Sequence, residues 1–274
     1  MMTTISRQVA VRDHQVEHGI VSLAPNVTEI IFALGLQDRL VGISTACDYP
    51  PETRDILKVG DFAAPDIELI YALRPEWVIA TDFRDPEARE AIRLSGAKTL
   101  RVEQRSIEDV LDAIETIGAA AGVPGVARAY ADDLRGRLAR ATVDVPDGER
   151  PRVFVELSSQ PLSTAGRGSF LDDLIHRAGG RNIAHDVGQP WPTVSPDFVV
   201  SKDPEIILVT HAATADTRYV IAARIGWSGV SAVKSGYIVT DLNADLISRP
   251  GPRLADGIEE LASLFAKYRA EHSR

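Results

Sequence analysis

The sequence predicts an α/β fold of two Rossmann-like βα lobes separated by a helical connector, with a ligand cleft between the lobes. Three observations predict it. Short β-type runs alternate with helical runs on both sides of residues 106–143, that middle stretch reads as helix, and one segment of the first half recurs without gaps in the second. Strands alternating with helices imply mostly parallel sheets covered on both faces. Ligands of such sheets sit near the carboxyl ends of the strands.

The first β-type run, Ile20–Leu23, ends just before Pro25. Asn26-Val-Thr-Glu29 then reads as a capping box, with Asn26 accepting from first-turn N–H groups and Glu29 reaching back to the cap. The helix Val27–Leu34 stops at Gly35, a residue suited to the left-handed conformation past a helix end. Strands follow at Leu40–Ile43, Trp77–Thr81 and Thr99–Val102, with helices near 66–73 and 86–95 between them. Ser106 opens the connector, where Ile107, Val110, Leu111, Ile114 and Ile117 form one apolar stripe. After Gly122-Val-Pro-Gly125 a second helical run extends to about Ala141. The alternation restarts at Arg152–Leu157, continues through Ile206–Thr210 and Tyr237–Thr240, and closes with an amphipathic helix from Pro252 to Arg269. The expected organisation is a tail over 1–18, a first lobe over 19–105, a connector over 106–143 and a second lobe over 151–274.

The recurring segment runs from Asp66 to Thr81 and again from Ser195 to Thr210, an offset of 129 residues. Pro75 matches Pro204, Glu76 matches Glu205, and Thr81 matches Thr210. Each copy reads as a short helix, a proline that prevents its continuation, and a buried strand. Helix–Pro–strand is a common idiom, but its equal placement in both halves favours duplicated lobes.

Of 274 residues, 45% are apolar and 25% charged, which matches a globular protein with a sizeable core. The net charge of −9, without any Lys/Arg-rich run, opposes sequence-independent binding to the nucleic-acid backbone. No stretch approaches the roughly 18–20 consecutive apolar residues of a membrane helix. The first nineteen residues carry charges throughout and lack the apolar core of a secretory signal, so compartment stays open between a mature exported chain and a cytoplasmic one. The single cysteine, Cys47, excludes an intramolecular disulfide; it reads as a small, partly buried turn residue rather than a metal ligand.

Catalytic signatures are missing from the sequence. There is no phosphate-binding P-loop, no G-x-G-x-x-G, no G-x-S-x-G and no H-E-x-x-H; Gly166-Arg-Gly168 is too short to count. His14 and His18 have i, i+4 spacing, but in an unpatterned segment they read as solvated residues. His211 directly follows a strand and is either cleft-lining or a satisfied loop residue. Several loops fall instead where a binding cleft belongs: Pro25-Asn26, Thr45-Ala-Cys-Asp-Tyr-Pro-Pro51, Asp61-Phe62, Asp82-Phe83 and Gln189-Pro-Trp-Pro192. Aromatic residues make up only 6% of the chain, yet Phe62, Phe83 and Trp191 all occupy such loops. Large rings there suit a broad, flat, partly apolar ligand.

Ile20-Val-Ser-Leu-Ala-Pro-Asn-Val-Thr-Glu29, Cys47-Asp-Tyr-Pro-Pro51, the Glu68…Leu73-Arg-Pro-Glu76 block, Gly179-Gly-Arg-Asn182 and Pro190-Trp-Pro192 together resemble the helical-backbone (class III) periplasmic binding proteins of ABC importers. Within that class the CDYPP and PWP segments are most similar to the vitamin B12-binding proteins. The resemblance covers about residues 19–270. It implies two lobes joined by a long connecting helix, a monomeric receptor of the periplasm or cell surface, no catalysis and no cofactor of its own. The implied cargo is cobalamin or a related corrinoid, handed to a permease dimer. It assigns Phe62, Trp191, Asp245 and Arg249 to the ligand, and Pro25, Asn26, Ala46 and Phe83, in the strand-end loops, complete the expected ligand-binding set. It assigns permease docking to Glu68 and Asp197, which occupy matching positions in the two repeats. Ala46, Thr81 and Ser163 depart from the B12-binding pattern, standing where a tyrosine, a tryptophan and a phenylalanine are expected. A haem- or ferric-siderophore binder of the same class is therefore a second expectation, and a chelatase-like tetrapyrrole enzyme a third.

Overall fold

Val/Ile/Leu-rich runs form the strands of two parallel sheets in the computed structural model, which describes residues 18–61, 63–82, 86–211 and 213–272. The chain divides into two compact units, one gathering residues through Thr28 and Gly35–Arg101, the other Glu29–Leu34 and Val102 onward.

The first unit runs β1 (Ile20–Ser22), α1 (Pro25–Ala33), β2 (Leu40–Ile43), α2 (Ile67–Leu73), β3 (Trp77–Ala80), α3 (Pro86–Leu94) and β4 (Lys98–Arg101). Its sheet has the order β2-β1-β3-β4, with every pairing parallel. Val21, Leu23, Val59, Ile70, Val78 and Ile92 form its core. The expected capping box at Asn26 does not form. The helix begins two residues earlier than expected, at Pro25, because proline at the first helical position has φ already set and no N–H to satisfy. The Ala24 carbonyl accepts the Thr28 N–H, Asn26 lies inside the helix, and Glu29 bonds elsewhere. Gly35, at φ +71°, closes the helix as expected.

The second unit contains α4 (Ile107–Ala120), α5 (Pro124–Ala141), β5 (Arg152–Glu156), a two-stranded ribbon of β6 (Ser158–Ser159) and β7 (Leu162–Ser163), α6 (Phe170–Arg177) and β8 (Arg181–Asn182). It continues with α7 (Pro196–Lys202), β9 (Ile206–Val209), α8 (Thr217–Ala222), α9 (Ser231–Ser235), β10 (Ile238–Val239), α10 (Ala244–Ser248) and α11 (Leu254–His272). Ser106 caps α4 in a true capping box: its hydroxyl accepts the Asp109 N–H at 3.1 Å and Asp109 accepts the Ser106 N–H at 3.0 Å. The connector stretch is thus two helices broken at Gly122 (φ +80°), of which α5, with 18 residues, is the long one. They pack closely because Gly118 presents no side chain to Ala127. The sheet order is β10-β9-β5-β8, again all parallel. Phe154, Ile207, Val209, Ile221 and Trp227 fill its core.

The two units share one topology, with β1, β2, β3 and β4 corresponding to β5, β8, β9 and β10. The sequence repeat carries this down to single atoms. Asp66 caps α2 by accepting the Leu69 N–H, and Ser195 caps α7 by accepting the Phe198 N–H. Both helices end on a non-glycine left-handed residue, Arg74 at φ +48° and Asp203 at φ +45°. The Glu76 N–H then donates to the Gly19 carbonyl and the Glu205 N–H to that of Arg152, setting β3 against β1 and β9 against β5.

Candidate functional site

In each sheet the connection reverses direction beside the first strand, between β1 and β3 and between β5 and β9. Ligands of open α/β sheets bind outside the carboxyl ends of the strands at such a switch point. The candidate loops all follow carboxyl ends: Pro25-Asn26 after β1, Ala46 after β2, Thr81 and Asp82 after β3, Trp191 in the segment after β8, and Asp245 and Arg249 after β10.

In the first unit, Pro25 is half-buried and Asn26 largely buried at the start of α1. Ala46 is exposed, with its N–H donating to the Ser44 hydroxyl at 3.3 Å. Cys47 is buried and accepts from the Thr28 hydroxyl at 3.1 Å, a packed turn residue as the sequence predicts. Tyr49, in the same turn, is 42% exposed and supplies a ring that the sequence reading passed over. Phe62 and Phe83 lie outside the described residues, as does His14. His18 is paired with Glu76 at 2.7 Å.

In the second unit, Trp191 is 44% exposed and leans on Phe170 with ring centroids 5.6 Å apart. Its backbone is clamped on both sides: the Thr164 N–H donates to the Pro192 carbonyl at 3.0 Å and the Gly166 N–H to the Pro190 carbonyl at 2.9 Å. Gly166 is required for that approach, since a Cβ there would collide with the Gln189 carbonyl. Asp245, in the first turn of α10, pairs with Arg249, the residue that follows the helix, with Nε 3.0 Å from Oδ1.

Two buried acids organise this unit, and neither stood out in the sequence as a site residue. Glu29, 4% exposed, accepts two hydrogen bonds from Arg253, at 2.8 and 2.6 Å. Burial pushes the Glu29 carboxyl above its ordinary pKa against the pull of Arg253 and Arg249. Glu156, the last residue of β5, is fully buried and takes a bidentate pair of bonds from Arg224, at 2.6 and 2.8 Å. His211, just after β9, has Nε2 3.1 Å from the same carboxylate, and the Arg224 guanidinium lies 4.7 Å from the Trp227 ring centroid. Acidic Glu156 at the end of an apolar run was the only local signal; its partner Arg224 is 68 residues away. A histidine beside a carboxylate is the arrangement acid–base chemistry uses, but here Arg224 already neutralises the carboxylate. Among the described residues no group of three or more His, Cys, Asp or Glu side chains is placed to hold a metal ion.

The model of the Periplasmic binding protein family matches residues 20–243. The chain belongs to that family. An ABC transporter substrate-binding lipoprotein, YvrC, of Bacillus subtilis is 34% identical over 252 residues, covering 89% of this chain and 78% of that protein. A vitamin B12-binding protein of Vibrio cholerae is 32% identical over 245 residues, covering 89% of this chain and 87% of that protein. Among solved structures, the periplasmic vitamin B12-binding protein BtuF of Vibrio cholerae has a TM-score of 0.74 at 30% identity over 92% of this chain and 97% of that one. The periplasmic heme-binding protein RhuT of Roseiflexus sp. RS-1, in apo form, has a TM-score of 0.79 at 26% identity over 92% and 99%. The class III fold read from the sequence is therefore the fold of the family, and the protein is a substrate-binding protein of the ABC-transporter kind. Among the described residues no helix is long and apolar enough to cross a membrane.

Proposed function

We propose that this periplasmic binding protein captures cobalamin or a related corrinoid and delivers it to the permease dimer of an ABC importer, without catalysis and without a cofactor of its own. The observation that carries the reading is Trp191: a half-exposed ring on a backbone clamped between two prolines, in a chain 32% identical to a B12-binding protein. A rigid aromatic surface binds a flat macrocycle with little loss of side-chain entropy. Pro25, Asn26, Ala46, Phe62 and Phe83 of the first unit and Asp245 and Arg249 of the second are its partners in the reading. Glu68 and Asp197 are both exposed, each in the first turn of its repeat helix, and two equivalent acids suit a two-fold permease.

One observation favours a second cargo. Arg224 and His211, both partly exposed at the strand ends beside β5 and β9, hold the Glu156 carboxylate between them and so form a carboxylate-binding pair in the strand-end region. A haem or a ferric siderophore carries acidic groups of that kind more readily than the amide rim of cobalamin. Calorimetric titration with cyanocobalamin, hemin and a ferric siderophore tests both readings. Saturable one-to-one cobalamin binding weakened by Trp191→Ala supports the corrinoid; hemin or siderophore binding with no cobalamin binding assigns the second cargo. No binding of any chelate overturns both.

A further inference from the structure

The second unit has a pocket of about 380 Å³ that the cargo reading does not use. Its walls come from β5, α6, β8, the turn after β8 and the end of α7. Arg152 and Arg181 are the first residues of β5 and β8, so its cationic wall stands at the amino ends of the sheet, away from the carboxyl ends that carry the cargo candidates.

The charges in this pocket are unequally committed. Asp172, nearly buried, receives the Asn182 side-chain N–H on one oxygen at 2.8 Å and faces His185 Nδ1 with the other at 2.8 Å. Asn182 is itself fixed, donating to the Ala165 carbonyl at 2.8 Å and accepting the Ala184 N–H at 3.0 Å. Asp186 pairs with Arg167 at 3.4 Å, and Arg152 pairs with Asp203 at 3.1 Å and Glu205 at 3.4 Å. Arg181 and Lys202 make no ion pair among the described residues. What the pocket offers a ligand is therefore two cations without an acidic partner among the described residues, one of them, Lys202, 6.0 Å from the Phe198 ring centroid, and the Nε2 edge of an imidazole oriented by a buried acid. A metal ion does not suit cationic walls, and no three acidic, histidine or cysteine side chains among the described residues are placed to hold one.

We propose that this pocket binds an oxyanion of the phosphate class, with Arg181 and Lys202 as its charge partners and His185 donating from Nε2 when protonated. Arg181 offers several N–H donors and Lys202 a point charge, the pair that phosphate sites use. The groups facing His185 are Asp172 and His176 from α6, Arg152 from β5, Arg181 from β8, Lys202 from α7 and Asp186 from its own turn. The site stands independently of the cargo assignment.

The test is titration of the full chain with inorganic phosphate at one fixed pH, in wild type, in Arg181→Ala/Lys202→Ala and in His185→Gln. Circular dichroism monitors the fold of each. The expected result is saturable binding, loss of at least about tenfold in the double variant, and weaker binding in His185→Gln. A parallel arm measures sedimentation with phosphatidylglycerol vesicles: vesicle binding lost in the double variant makes a lipid headgroup the source, and phosphate binding alone makes it a soluble phosphate. Absence of saturable binding to both probes overturns the proposal, as does unchanged binding in the folded double variant. Chelate titration of the same double variant keeps the two sites apart, because Arg181 and Lys202 take no part in cargo binding.

Discussion

Replacing Arg253 with alanine strands a charge that the fold has already taken out of water. The Glu29 side chain is 4% exposed and both of its oxygens accept from Arg253, at 2.8 and 2.6 Å. Two charge-assisted bonds vanish while the carboxylate stays buried, a change that costs about 3–5 kcal/mol when one member of a buried pair is removed. The loss depends on pH in a direction the structure fixes. Burial already raises the Glu29 pKa in the folded state, and removing the opposing pull of Arg253 raises it further. A carboxyl whose folded pKa lies above its unfolded value of 4.5 contributes stability that is full below that value and is lost as pH rises through the folded pKa. Arg253→Ala is therefore most damaging near neutrality and less so toward about pH 5. Urea denaturation followed by tryptophan fluorescence reports the change, since Trp227 is fully buried in the same unit. The double variant Glu29→Gln/Arg253→Met removes both charges and recovers most of the loss. A penalty under about 1 kcal/mol at neutral pH, or one that does not vary with pH, refutes the reasoning.

Trp191→Ala lowers chelate affinity by about tenfold or more with little change in the urea midpoint, because the ring is half exposed while its backbone clamp survives. Calorimetry on the folded variant checks this. Glu68→Ala and Asp197→Ala leave chelate binding unchanged and slow uptake in a reconstituted transport assay, since both acids are exposed on their repeat helices; weakened chelate binding would count against docking. Arg74→Gly raises stability by about 1 kcal/mol, because glycine carries no penalty at φ +48°. Asp203→Gly lowers it despite φ +45°, because the Asp203 carboxylate holds the Ser231 N–H at 2.8 Å and hydroxyl at 2.9 Å. Burial raises the pKa of Asp203, but those bonds and Arg152 outweigh it and hold it below the ordinary value. Its contribution is thus present above about pH 3.8 and fades as pH falls through the lower folded pKa, which acid titration of wild type against Asp203→Gly reads out.

The elements were legible wherever local chemistry decides them. Ser106, Asp66 and Gly35 each act through neighbours within four residues, and all three mark the helix ends that the sequence predicts. The error at Asn26 has the same local origin: two helix-start signals compete, and proline at the first position wins over a capping box one residue later. The strand-end loops were legible because prolines and rings punctuate them. Glu156 with Arg224, and Glu29 with Arg253, were not, since each pair joins residues 68 or 224 positions apart and no spacing rule reaches that far. Glu29 was hidden further by a plausible local role at the cap.

The repeat explains why the family was easier to read than the cargo. What the two units preserve is backbone: the capping N–H, the left-handed residue, and the amide that registers the second buried strand against the first. What they have exchanged is side chains. Glu76 gathers His18, Arg39 and Lys98, whereas its counterpart Glu205 bonds Arg152 and Tyr268. Past the matched Thr81 and Thr210 the copies diverge, with Asp82 next in the first unit and His211, resting on a buried acid, next in the second. Backbone hydrogen bonds tolerate any side chain that fits, so duplicated topology constrains the strand-end residues very little. Cargo chemistry is therefore written where the copies differ, and Glu156, Arg224 and His211 are the residues whose substitution should shift preference between an amide-rimmed and a carboxylate-rimmed chelate.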